Sequence, residues 1–388
     1  MNDTDVSVSG YQELAAPFPW FGGKSVVANI VWARLGDVPN YVEPFAGSLA
    51  VLLGRPHWDA DAGQWLTNER TRTETVNDLD GTVTNFWRAV KHDPEAVAEW
   101  ASFPVHEIEL HARHLWLHRR MKSTEGLDAA ALAYAADKAV LPFAAWLTTD
   151  PDAYDARVAG YWAWGLSSWI GNNWCRPRLG NAGQGVSRQM PHLGSTGQGV
   201  NRKRPHLGNA GKGVNRQRPY LGNAGQGECA RRLQNLVAWF QRLADRLRNV
   251  DVCCGDWERI CGYTPTKHRA SPCSVFLDPP YSQDHGLDTV YGEHHDPGVA
   301  ARVRKWCIGR GQELDMRIAL CGYDTEHGEL ESEHGWNAVA WKSQGGYGNQ
   351  GKSSRGADNA WRERIWFSPG CLPEFDEPGL FDGEDIDA

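Results

Sequence analysis

Short strand-like segments that alternate with helical patterns constrain this chain more than any other feature. Residues 41–45, 74–78, 250–254, 274–277, 317–321 and 364–367 each read as a short strand. Between the second and third lie a helix carrying Phe86, Trp87 and Val90 and a mainly helical stretch over 105–170. Leu233, Leu236, Val237, Phe240, Leu243, Ala244 and Leu247 recur at helical spacing and predict an amphipathic helix over 233–247. Strands alternating with helices imply an α/β fold built on a doubly wound, mostly parallel sheet. No uninterrupted apolar run approaches 18 residues, so no membrane-spanning helix is expected. The first residues lack the basic and apolar regions of a secretory signal. Nine cysteines without paired C-x-x-C spacing suit reduced thiols in a cytoplasmic protein, and no metal site is expected.

The net charge of −8 hides a strong asymmetry. Residues 176–232 hold eleven Lys/Arg against Glu228 alone, leaving 29 basic and 47 acidic groups elsewhere. A cationic segment on an acidic body follows. That segment contains an internal repeat of period 14 over 176–231, with units RPRLGNAGQGVSRQ, MPHLGSTGQGVNRK, RPHLGNAGKGVNRQ and RPYLGNAGQGECAR. Glycine and proline at this density forbid continuous helix, and one leucine per unit offers little core, so a solvated insertion of turns is expected. Arg176, Arg188, Arg202, Lys203, Arg204, Lys212, Arg216 and Arg218 suit contacts to phosphate, which guanidinium can bind in bidentate fashion. A neutral expansion of the loop is the alternative.

The sharpest motif is Val275-Phe276-Leu277-Asp278-Pro279-Pro280-Tyr281. An apolar strand there delivers an acid, two prolines and an aromatic ring to its carboxyl end, where open α/β sheets place their ligands. On its own the motif also reads as a rigid surface turn. Upstream stand Trp20-Phe21-Gly22-Gly23-Lys24 and Glu43-Pro44-Phe45-Ala46-Gly47-Ser48, then Asn77-Asp78-Leu79-Asp80 at a strand end, and Cys254-Gly255-Asp256-Trp257 before the Asp-Pro-Pro-Tyr strand. The three-glycine dinucleotide pattern is absent.

In identity and order these motifs resemble the Dam-type N6-adenine DNA methyltransferases, over residues 17–368 apart from the repeats. The resemblance implies a Rossmann-like methyltransferase fold, S-adenosylmethionine as cofactor and double-stranded DNA as partner. It implies a catalytic domain over 17–100 and 233–370 and an inserted, helical and loop-rich target-recognition domain over 101–232. Residues 1–16 and 371–388 would be tails. Trp20 and Lys24 would contact the cofactor, Lys24 through its carboxylate, and the Glu43–Phe45–Gly47 turn would lie under its methionine part. The commonest family form has a second Gly or Ala near Leu49, where this chain departs. Asp78 would take the ribose hydroxyls, although Asp78 or Asp80 could equally cap a helix. Asp256 and Trp257 would meet the adenine; a capping acid and a core tryptophan are the alternative.

Asp278, Pro279, Pro280 and Tyr281 would form the catalytic corner. The lone pair of an adenine amine is delocalised into the ring, and two acceptors holding its N–H bonds make the nitrogen more nucleophilic. Asp278 and the Pro279 carbonyl are suited to that, and Tyr281 to stacking on a base extruded from the duplex. Asp rather than Ser before Pro-Pro-Tyr favours adenine over cytosine N4. An RNA target or a non-catalytic DNA-binding protein of the same fold remain the competing readings.

Overall fold

The strand-like segments pair side by side into one sheet. The computed structural model describes residues 14–18, 20, 23–66, 72–169, 174, 229–268, 271–281, 298–341 and 362–373. In chain order they form α1 (Ala28–Leu35), β1 (Asn40–Glu43), α2 (Ala50–Leu53), β2 (Trp58–Asp59), β3 (Gln64–Trp65), β4 (Thr73–Asp78), α3 (Gly81–His92), α4 (Pro94–Ala101), α5 (Glu107–Lys122), α6 (Ala129–Lys138), α7 (Pro142–Thr149) and α8 (Ala156–Ser168). Then follow α9 (Cys229–Leu247), β5 (Val250–Cys254), β6 (Cys273–Leu277), α10 (Val299–Arg310), β7 (Met316–Tyr323), α11 (Gly328–His334), β8 (Asn337–Ala340) and β9 (Glu363–Phe367).

The seven-stranded sheet has the order β5-β4-β1-β6-β7-β9-β8. Strands β5, β4, β1, β6 and β7 run parallel, and β9 runs antiparallel to both β7 and β8. The doubly wound, mostly parallel α/β sheet expected from the alternation is present. From β1 the chain moves outward to β4 and β5, then returns to β6 on the other side of β1. The strand order therefore reverses at β1 and β6, and the carboxyl ends of such a pair are where open α/β sheets place their ligands.

Alternate residues of each central strand serve opposite faces. Tyr41, Phe276, Ala319 and Cys321 join one core cluster; Val42, Val275, Leu277, Ile318 and Leu320 join the other. Helices α1, α3, α4, α8 and α9 cover the first face with Trp32, Phe86, Val97, Trp162 and Phe240. Helix α10 covers the second with Val299, Val303 and Cys307, and α11 adds Leu330. Because both faces are buried, β6 and β7 carry continuous apolar runs rather than alternations, while β4 (Thr73–Asp78) buries the polar Glu74 and Asn77 against hydrogen-bond partners. The helices after residue 100 share this core, since Trp162 of α8 packs on Phe86 of α3 at 5.7 Å between ring centroids.

The outer strand β5 is covered rather than left open. Arg88 Nε donates to the Val252 carbonyl at 2.8 Å and Lys91 Nζ to that of Val250 at 2.9 Å, so two outward acceptors are blocked. At the amino ends of the strands, Glu74 accepts from Arg55 at 2.9 Å and from both terminal nitrogens of Arg246 at 2.7 Å. Asp37 accepts from Arg55 and from Arg72. The hairpin β2–β3 contributes Trp65, whose ring lies 5.3 Å from the Arg55 guanidinium and 4.9 Å from that of Arg246.

Strand β8, the hairpin β2–β3 and helix α1 lie outside the sequence expectation. Strand β8 has no fully buried position, so no apolar run marks it. Hairpin β2–β3 is only two residues long on each side. Helix α9 begins at Cys229, four residues before the amphipathic pattern starts.

Candidate active site at the carboxyl edge of the sheet

Strand β6 ends at Leu277 and hands the chain to Asp278 beside the reversal point. Asp278 keeps 23% of its side chain exposed. Its Oδ2 meets Lys24 Nζ at 2.8 Å, and its Oδ1 accepts from the Tyr281 hydroxyl at 3.3 Å. Lys24 also donates to the Tyr281 oxygen at 3.4 Å, which closes a three-membered ring of polar contacts. Glu363 Oε2 stands 3.9 Å from Lys24 Nζ, and the rings of Tyr281 and Trp341 flank that nitrogen at 5.7 and 5.6 Å. Burial alone would lower the Lys24 pKa, but the charge of Asp278, joined by Glu363, more than offsets it and holds the ammonium above its ordinary value.

Lys24 and Tyr281 are both engaged within the fold. Lys24 pairs with Asp278, because a buried ammonium needs a counter-ion, and the ends of β6 and β9 supply carboxylates. Tyr281 offers no open stacking face, being 4% exposed with its ring edge-on to Tyr323 at 4.7 Å. Its hydroxyl is drawn inward by Asp278 and Lys24. Pro279 is buried and Pro280 half-buried, as a stiff turn leaving the sheet requires.

At the end of β1, Glu43 is buried and accepts from the Tyr41 hydroxyl at 2.8 Å. Burial pushes its pKa up to about 8, against the hydrogen bonds from Tyr41 and the Leu52 backbone and with help from the charges of Asp278 and Glu74. Glu43 therefore supports the turn from beneath. The turn itself passes through Gly47 at φ 46°, where a Cβ would stand 2.5 Å from Trp20 Nε1. Only glycine lets Trp20 lie this close. The Gly47 carbonyl accepts from Trp87 Nε1 at 2.9 Å, and its N–H donates to Asp78 Oδ2 at 2.9 Å. Leu49, where a second small residue is commoner in the resembled family, adopts φ 53° and ψ 27° while fully buried. A left-handed leucine costs about 1–3 kcal/mol, and here burial of its side chain offsets the strain.

At the end of β4 the two acids divide their work. Asp80 caps α3, accepting from the Thr82 N–H at 2.7 Å, which leaves Asp78 free of that task. Asp78 accepts one backbone N–H on each oxygen, from Gly47 and from Asp80, both at 2.9 Å. Burial, then the charge of Asp80, push its pKa up to about 7. A carboxylate has about four lone-pair sites, so acceptor capacity for two hydroxyls is left. The preceding Asn77, which the sequence reading did not single out, donates to the Pro44 and Gly255 carbonyls at 3.1 and 2.9 Å. It thereby ties the ends of β1 and β5 to β4. An amide directly before a strand-end acid was the available signal.

At the end of β5, Asp256 caps the short helical turn of Trp257–Arg259 by accepting from the Glu258 N–H at 2.9 Å. Nearly half of its side chain stays exposed. Trp257 is buried, its ring 6.2 Å from Phe45 and tilted by 30°. The capping acid and core tryptophan, given as the alternative reading of this pair, are what the fold presents. The structure thus brings Trp20, Lys24, Glu43, Phe45, Gly47, Asp78, Asp256, Trp257 and Asp278 to the carboxyl ends of four neighbouring strands. Glu363 joins them unforeseen. Arg176, Arg188, Arg202, Lys203, Arg204, Lys212, Arg216 and Arg218 lie outside the described residues, as do the repeats up to residue 228. Of the segments expected as tails, Leu14 is buried in the core and Leu372 exchanges hydrogen bonds with Arg34, its N–H donating to the Arg34 carbonyl at 2.8 Å and its carbonyl accepting from Arg34 Nε at 2.6 Å, so the folded domain reaches past both expected boundaries.

In comparisons with known proteins, no family model and no curated protein matches this chain. Among the described residues, no single helix is long and apolar enough to cross a membrane.

Proposed function

We propose that this protein is an S-adenosylmethionine-dependent DNA methyltransferase acting on adenine N6. The observation that carries the reading is the convergence at the sheet's reversal point: Asp278 at the end of β6, the Gly47 turn at the end of β1 and Asp78 at the end of β4. Open α/β sheets bind nucleotide-like ligands at this location. The donor set suits the cofactor. Asp78 has acceptor capacity for a vicinal diol, and the Gly47 turn keeps backbone where a Cβ would intrude on Trp20. Phe45 and the half-exposed Asp256 border the same edge and suit the adenine.

When bound, the cofactor supplies an electrophilic methyl on a sulfonium sulfur. The chain's own task is to hold an amine and raise its nucleophilicity. Asp278 accepts an N–H of the amine and stabilises the charge that develops on nitrogen as the C–N bond forms. The proton that the amine sheds leaves through the same hydrogen bond. No covalent enzyme intermediate is needed, and catalysis rests on positioning. Admission of a base requires the Tyr281 ring to be uncovered and Asp278 to give up Lys24. The basic repeat supports DNA as the partner by its charge alone.

The test is modified-base sequencing of DNA from cells expressing the chain or its Asp278→Ala variant. N6-methyladenine in a defined sequence context is expected from the first, and at least a hundredfold less from the second with the fold retained. DNA free of modified bases in both would end this reading.

A further inference from the structure

Lys24 faces two carboxylates that reach it from strands of opposite direction. Asp278 arrives at the carboxyl end of the parallel strand β6. Glu363 arrives at the start of β9, and only because β9 is reversed does its first residue lie at the same edge. The two acids differ in their hold on the ammonium, at 2.8 and 3.9 Å.

Amine methylation places a demand on this arrangement. Asp278 keeps lone pairs beyond its contacts with Lys24 and Tyr281, but an oxygen engaged by a full positive charge is a weakened acceptor for a neutral N–H, so the amine is held best when Lys24 shifts off it. Lys24 cannot simply be released, because it is 4% exposed and an unpaired buried ammonium costs several kcal/mol. A second acid within reach removes the difficulty. We propose that Glu363 is a positioning residue for amine methylation, which takes Lys24 over from Asp278 as the substrate amine arrives. The inference rests on the methyltransferase reading above.

The geometry suits a transfer of this kind. Nζ needs to travel little more than the difference between 3.9 and 2.8 Å along its line to Glu363 Oε2 to pair fully with that acid, within the freedom of a four-carbon stem. Glu363 itself is held in place: it pairs in register with Tyr323 of β7, and its carbonyl accepts from the Trp341 N–H at 3.3 Å. The rings of Tyr281 and Trp341 stand at nearly equal distances from Nζ, so the cation keeps aromatic faces nearby on either partner.

The experiment compares the full-length chain with Glu363→Gln and Glu363→Asp. It measures single-turnover methylation of unmodified genomic DNA, S-adenosylmethionine affinity by calorimetry, and the melting temperature. With no anion to receive Lys24, the Gln variant should lose about 10- to 100-fold in the single-turnover rate while cofactor Kd and melting temperature hold. The Asp variant, charged but shorter, should fall between. An active parent chain with an equally active Gln variant would overturn the Glu363 assignment and leave the methyltransferase reading intact. Parallel loss of rate, cofactor affinity and melting temperature would make Glu363 a structural counter-ion and also overturn it. A parent chain that transfers no methyl would remove both.

Discussion

At the amino ends of its strands the sheet buries Arg55, Arg246 and Glu74 together, and every charge there has an opposite partner. At the carboxyl ends it buries Glu43 and Lys24 close to Asp278 and Glu363 and leaves Asp78 half-buried at the end of β4, where acids outnumber the described cation. The same residue type responds in opposite ways. Burial would raise the pKa of Glu74, but Arg246 and then Arg55 hold it below the ordinary carboxylate range. Glu43, with a tyrosine hydroxyl and a backbone N–H for company, is pushed up to about 8. One edge is compensated internally and serves stability. The other keeps acceptor capacity in reserve, which is what a ligand site requires.

The sharpest way to break this contrast is Arg246→Met. Removing one partner of a buried, hydrogen-bonded pair should cost about 3–5 kcal/mol of stability in denaturant unfolding. At temperatures where the variant stays folded, its cofactor affinity should match that of the parent. A drop in affinity alone would mean the amino edge is part of the site.

Asp78→Asn asks the converse question at the other edge. Two charge-assisted hydrogen bonds are weakened, so S-adenosylmethionine affinity should fall about 10- to 100-fold with little change in stability. The pH dependence gives a second reading. Hydroxyl donors favour the ionised carboxyl, and Asp78 titrates at about 7 in the free protein. Parent affinity should therefore weaken as pH falls below 7, while the Asn variant stays flat over that range by calorimetry. A parent with no slope would remove Asp78 from the cofactor site.

The smallest effect is expected for Glu43→Gln. The folded protein holds the Glu43 proton up to about pH 8, whereas an unfolded glutamate loses it near 4.5. Stability from this group is therefore present below the unfolded value and is lost as pH rises through 8. Gln keeps the acceptor for Tyr41 and carries no charge. The variant should match the parent at pH 5 and exceed it by on the order of 1–3 kcal/mol at pH 9, read by thermal unfolding at both pH values. Glu74 runs the other way, contributing most at neutral pH and losing that contribution as acid protonates it. Equal pH slopes for parent and variant would erase the difference between the edges.

Much of the architecture was legible because the central strands are buried on both faces. Val275, Phe276 and Leu277 read as a strand whichever face each serves, and the proline pair after Asp278 marks its end. Helix α9 was legible through its apolar spacing. Strand β8 was not, since Asn337–Ala340 owes its place to hydrogen bonds with β9 rather than to burial. In the site, the acids at strand ends were visible as types. Which of Asp78 and Asp80 would cap α3 was not, because both stand within reach of a helix start, and backbone direction at the turn chose Asp80.

By itself, the amino-acid sequence determined the periodicities, the stiff turn after β6, the glycine turn after β1 and the placing of a carboxyl group at four strand ends. These depend on residues adjacent in the chain, whose steric limits act locally. Only the tertiary structure decided that Lys24 would meet Tyr281, 257 residues away, or that Arg246 would close on Glu74 across 172. It alone brought Glu363 to the carboxyl edge beside Lys24. Such pairings follow from strand order and direction, and the reversal of β9 is settled by packing across the whole sheet rather than by any residue's own preference.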